Sequence, residues 1–172
     1  MPKVSWPVVV LSSNDRFLHV CRDAAGLREH IAADLAGGLA PLSGRHTALE
    51  FFGVDGQRLQ PTVGPHWTVD GFAPAGQRVA ERDLLVRMES ALRTAERIDR
   101  RHTVGALVAE GLPEAEARLV AGRDRRRVPR TQGSVADQAE QILALLDEEV
   151  ADTAVALNRG GWLHTAWHAA FG

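Results

Sequence analysis

Between Pro74 and Val79 the apolar residues of this chain change their period, and that switch constrains the fold more than any other feature. Before it, apolar residues come in short runs closed by turn residues. After it, they recur at helical spacing almost to the end. Strands alternate sides every two residues and helices every 3.6, so one stretch of sequence cannot serve both patterns. The sequence therefore predicts an α+β chain. A small antiparallel sheet with one helix occupies residues 1–76, and a bundle of three to four helices occupies 77–172, the two halves forming one compact unit.

In the front half, Val8 to Leu11 form an apolar run bounded by Pro7 and by Ser12, Ser13, Asn14 and Asp15, the pattern of a buried strand entering a turn. Phe17 to Cys21 is close enough to return as its hairpin partner. Asp23 can cap a helix whose stripe is Leu27, Ile31 and Leu35, and Gly37 and Gly38 stop it. Asp55-Gly56, between Thr47–Val54 and Gln57–Val63, suits a two-residue type I′ turn, which sets Phe52 opposite Leu59. Trp67 to Phe72 reads as the last strand.

In the back half, Leu84, Met88, Ala91, Ala95 and Ile98 repeat at 4, 3, 4, 3 spacing, a helix-packing seam. Asp83/Arg87, Glu89/Arg93 and Glu96/Arg100 place an acid before a base at i,i+4 on its outer face. A separate helix is expected over Val104 to Glu110, ending at Gly111, and another begins at Pro113. Ser134 caps the longest helix, with Val135, Ala139, Ile142, Leu146, Val150, Ala154 and Leu157 as its stripe. Trp162, Trp167 and Phe171 mark a short terminal helix that closes the core or docks into a partner.

Composition narrows the function classes. The 172 residues carry 20 Lys+Arg against 22 Asp+Glu, a formal charge of -2, so no global field attracts a polyanion. Lys3 is the only lysine; the preference for arginine, alanine and glycine points to a high-GC bacterial genome. No apolar run reaches the ~18 residues of a membrane span, and no signal peptide is evident, so a cytoplasmic protein is expected. A single cysteine, Cys21, forbids an internal disulfide framework.

Candidate chemistry is sparse. No phosphate-binding loop or dinucleotide fingerprint occurs, and no cofactor is expected. Cys21 follows His19 by two positions, so the two share a strand face; with Asp23 or Asp70 as orienter they could form a thiolate pair, although a small buried hydrophobe is the commoner identity of such a cysteine. His164 and His168 lie four apart on a presumed helix, but two imidazoles do not close a metal site.

The arginines Arg118, Arg123, Arg125, Arg126, Arg127 and Arg130 are the most distinctive cluster, a candidate partner or anion-binding segment. No aromatic residue is interleaved for base stacking. The helix after them carries Asp137, Glu140, Asp147, Glu148, Glu149 and Asp152 and no base, so the two segments are expected to neutralise each other or to match a second copy. The turn Leu107–Pro113 resembles that of a DNA-reading helix pair, but Glu114 and Glu116 would meet phosphates at the reading end.

These observations favour a non-catalytic interaction or regulatory protein acting through its helical half, with a protein partner or homo-oligomer. A nucleic-acid-binding module built on Arg118–Arg130 is the alternative, followed by a small metal- or thiol-dependent enzyme.

Overall fold

The structure, a computed structural model of the chain, describes residues 4, 6–23, 49–63, 69–123 and 133–155. Five antiparallel strands come first: β1 (Val8–Ser12), β2 (Leu18–Cys21), β3 (Leu49–Gly53), β4 (Arg58–Val63) and β5 (Val69–Pro74), in the order β2-β1-β3-β4-β5. Three helices follow: α1 (Glu81–Ala109), α2 (Glu114–Arg123) and α3 (Val135–Val155).

Strand β1, between β2 and β3, is buried on both sides, and the alternation of side chains divides its residues between two cores. Val9 and Leu11 join Leu18, Val20 and Phe52 beneath Leu84, Met88, Leu92, Val135, Ala139 and Ile142 of the helices. Val8 and Val10 join Phe17, Cys21, Phe51 and Leu59 on the opposite face, with Trp6 and Phe72 packed against them. Period 2 in β1 and β3 thus sends adjacent phenylalanines, Phe51 and Phe52, to different cores.

This arrangement corrects the expected fold, a small antiparallel sheet with one helix followed by a three- to four-helix bundle. Among the described residues a five-stranded sheet is followed by three helices, and α1 and α3 pack on the sheet rather than forming a bundle apart from it. The seam of α1 is real, since Leu84, Met88, Ala91, Leu92 and Ala95 are buried. A stripe at helical spacing specifies that something apolar covers it, not whether the cover is a helix or a sheet. The helix expected over Leu27 to Leu35 and the terminal helix with Trp162, Trp167 and Phe171 lie outside the described residues.

Two local readings also change. The β3–β4 connection is a three-residue loop, Val54-Asp55-Gly56, in which Gly56 N–H donates to Gly53 O and only Gly56 has positive φ, at 77°. The register shifts by one accordingly, pairing Phe51 with Leu59 and Phe52 with Arg58. Gly56 is required for a second reason: a Cβ there would lie 2.3 Å from the carbonyl oxygen of Val79, whose N–H donates to Gly56 O. The loop thereby holds the segment that leads into α1.

The expected break between Arg100 and Val104 is absent, and α1 is one helix of 29 residues. It ends where Gly111 takes a φ of 97° and Leu112 N–H reaches back to Leu107 O, the bond that closes a Schellman motif.

The start of α3 follows the sequence reading. Ser134 Oγ accepts from Asp137 N–H, and Asp137 Oδ2 accepts from Ser134 N–H, a reciprocal cap. That bond from the Ser134 backbone is the chief reason the Asp137 carboxyl is held below its usual range. Glu81 of α1 accepts from Val135 N–H at 3.0 Å, tying the first turns of α1 and α3 together.

Gln138, one turn into α3, is fully buried, and neither its amide nitrogen nor its amide oxygen has a hydrogen-bond partner among the described residues. An amide without partners in an apolar core costs about 1–3 kcal/mol. Gln138→Met keeps the unbranched shape and removes the amide, so urea unfolding should show a gain of about 1–2 kcal/mol. A loss of stability would mean that an internal water satisfies the amide.

Candidate functional site

The charged residues of the helix-facing side of the sheet converge on Arg87. Its Nε donates to Asp15 Oδ1 at 2.7 Å, and its terminal nitrogen donates to Glu50 Oε2 at 2.6 Å. The other oxygen of Glu50 pairs with Arg58. The guanidinium of Arg87 lies 5.3 Å from the ring centroid of Phe52, and that of Arg58 lies 6.0 Å away.

The β1–β2 turn is shaped to supply Asp15. Buried Ser12 Oγ accepts from the N–H groups of Arg16 and Phe17, and Asp15 takes the left-handed conformation at φ 52°. Both carboxylates therefore accept guanidinium bonds, and both Glu50 oxygens are engaged. Such a cluster braces α1 against the sheet and offers no carboxylate placed for acid–base work. Sequence pattern placed Arg87 in an outer i,i+4 pair with Asp83. It turns inward instead, because its acceptors come from β3 and a turn 72 residues away; nothing local could have shown them.

The thiol reading meets a different obstacle. His19 and Cys21 do share a strand face, opposite Val10 and Val8. His19 stacks on Phe17, with 6.4 Å between ring centroids. Cys21 is 1% exposed, and burial, reinforced by the charge of Asp23, pushes its thiol up to about 12. That is the reverse of what a nucleophile needs. Asp70 stands on β5 at the far edge of the sheet from β2, about 19 Å away at strand spacing. Alkylation of Cys21 at neutral pH should run about a thousandfold slower than that of a free thiol; complete modification within minutes would contradict this.

Of the arginine cluster, Arg118 donates to Glu114 of its own helix at 2.6 Å. Arg123 is the last residue of α2, and Arg125, Arg126, Arg127 and Arg130 lie outside the described residues. The one described guanidinium of the cluster is thus paired within α2. His164 and His168 also lie outside the described residues. Among those described, no group of three or more histidine, cysteine or acidic side chains could hold a metal, and no helix is long and apolar enough to cross a membrane.

The feature that sequence reading missed is a helical arm. At 1.5 Å per residue α1 is about 43 Å long, against about 20 Å for these strands. Its buried residues stop at Ala95, so about the last twenty ångströms extend past the core. The Gly111 turn folds α2 back along this extension, where Ala117 and Ala121 are buried. Leu119, two positions from Ala117 and on the opposite side of α2, is 63% exposed, and Val120 is 42% exposed. The signal available in the sequence was the run Leu119-Val120 among otherwise small and charged residues.

No family model, curated protein or solved structure matches the chain.

Proposed function

We propose that this chain is a non-catalytic interaction or regulatory protein of the cytoplasm that engages a protein partner through its helices. The observation that carries the reading is the arm: a helical hairpin reaching past the core with Leu119 and Val120 directed to solvent. A chain that gains nothing in its own core from two large apolar side chains has them available for another surface. The chemistry of the described residues supports the same reading, because Cys21 is buried with its thiol pushed up and the carboxylates of Asp15 and Glu50 are held by Arg87.

The test compares the full chain with its Leu119→Asp, Val120→Asp double variant as immobilised bait. Both side chains are exposed, so the variant should melt within a few degrees of the parent. The parent should retain a specific protein that the variant loses. Identical retained sets, or none for either bait, would contradict the proposal.

A further inference from the structure

The β3–β4 loop contains Asp55-Gly56, a pair in which the glycine nitrogen can attack the aspartate carboxyl, because glycine has no side chain to hinder the approach. Asp55 is exposed, and both of its carboxylate oxygens are held. Oδ1 accepts from Gln57 N–H at 3.1 Å, and Oδ2 accepts from Arg78 at 2.8 Å. The Gly56 nitrogen donates its hydrogen to Gly53 O at 2.9 Å. One residue after Arg78, Val79 N–H donates to Gly56 O at 2.9 Å, so the clamp on the carboxylate adjoins the tie that leads into α1.

We propose that Asp55-Gly56 is a modification site, at which spontaneous isoaspartate formation is gated by Arg78. In the first step the Gly56 nitrogen loses its proton and bonds to Asp55 Cγ, and one carboxyl oxygen leaves as water. The product is a cyclic imide. In the second step water adds to the main-chain carbonyl carbon of Asp55, the bond from that carbon to the Gly56 nitrogen breaks, and the nitrogen regains a proton. No atom is gained or lost overall and no reactant besides water takes part. The main chain then runs through Cβ and Cγ of Asp55 and is longer by one methylene.

The native bonds oppose the first step. An imide nitrogen has no hydrogen, so its bond to Gly53 O is given up, and the departing oxygen loses its bond from Gln57 or from Arg78. The Arg78 side chain is 66% exposed, and its pair opens without unfolding of the sheet. The consequence reaches the helices. Gly56 lies so close to Val79 that a Cβ would come within 2.3 Å of Val79 O, so an inserted methylene displaces this contact and releases the segment before α1.

The experiment incubates the full chain at neutral pH, folded and in guanidinium chloride, and measures isoaspartate by peptide mapping and by enzymatic methylation of the freed carboxylate. Asp70-Gly71 in β5 is the same dipeptide away from this loop, and its rate reports general loosening. Unfolding should speed the reaction at Asp55 at least about tenfold. In the folded chain Arg78→Gln should speed it about two- to fivefold, the factor an exposed ion pair supplies, and leave Asp70 unchanged. Arg78→Lys, which keeps the charge, should stay near the parent rate, and the isomerised chain should melt below the parent. Equal rates at Asp55 in the folded and unfolded chain, indifference to Arg78→Gln, or an equal rise at Asp70 would each overturn the proposal. An isomerised chain that melts with the parent would overturn the link to α1.

Discussion

Phe52→Ala should lower the unfolding free energy by about 3–5 kcal/mol, the range for emptying a fully buried aromatic site. Phe52 is 0% exposed and sits opposite Val9 in the register, at the junction of β1, β3 and α1. It cannot be filled by collapse of the sheet, because the strands on either side are fixed by their ladders. The ring also carries the guanidiniums of Arg87 and Arg58, and each such contact contributes about 0.5–1 kcal/mol at a partly exposed site. Urea unfolding with an unchanged slope gives the value directly. A loss below about 1.5 kcal/mol would mean that the ring is not a central packing element.

The second large effect is at Arg87. Arg87→Met keeps the stem that packs on Phe52 and removes the charge that joins Asp15 and Glu50 to α1. Breaking a fully buried ion pair costs about 3–5 kcal/mol, since the partner is left without its counter-charge. Here the three side chains keep 18% to 30% of their exposure, so water screens part of that penalty. The expected loss is about 2 kcal/mol after that discount. Adding Glu50→Gln to Arg87→Met should recover part of it, because the stranded charge is then removed as well. A loss within about 0.5 kcal/mol would reduce the cluster to an ordinary surface pair.

These two residues also mark how far the sequence could be read. Val8–Leu11, the hairpin into Cys21, the Ser134 cap and the buried stripe of α1 were all legible, because each depends on neighbours within about four positions. The partner of that stripe was not, since covering by a sheet and covering by a helix require the same apolar spacing. Asp55-Gly56 marked a hairpin but not its register: the type I′ reading needs positive φ at both residues, and the structure uses it only at Gly56. Arg87 carried a convincing local pair with Asp83, and its true acceptors lie far away in sequence. The arm was hidden by the seam itself. Ile98 continues the pattern of Leu84 and Met88, so the periodicity gives no sign that burial ends at Ala95.

The arginine cluster shows the same limit from the other side. Six guanidiniums within thirteen positions drew attention to Arg118–Arg130. Of the exposed cations that share one described face, Arg93, Arg97 and Arg101, the sequence pattern drew out only Arg93, as an ordinary helix pair with Glu89. Position on a face, not density along the chain, decides what a cation can reach.

The central claim is that this protein works by presenting helix surfaces, and covalent side-chain footprinting of the full chain, alone and with the protein it retains, tests it most directly. Modification of Leu119 and Val120 should fall in the complex, while Pro74 on the edge strand β5 stays equally accessible. Unchanged modification of Leu119 and Val120, or protection that gathers on β5 instead, would contradict the account.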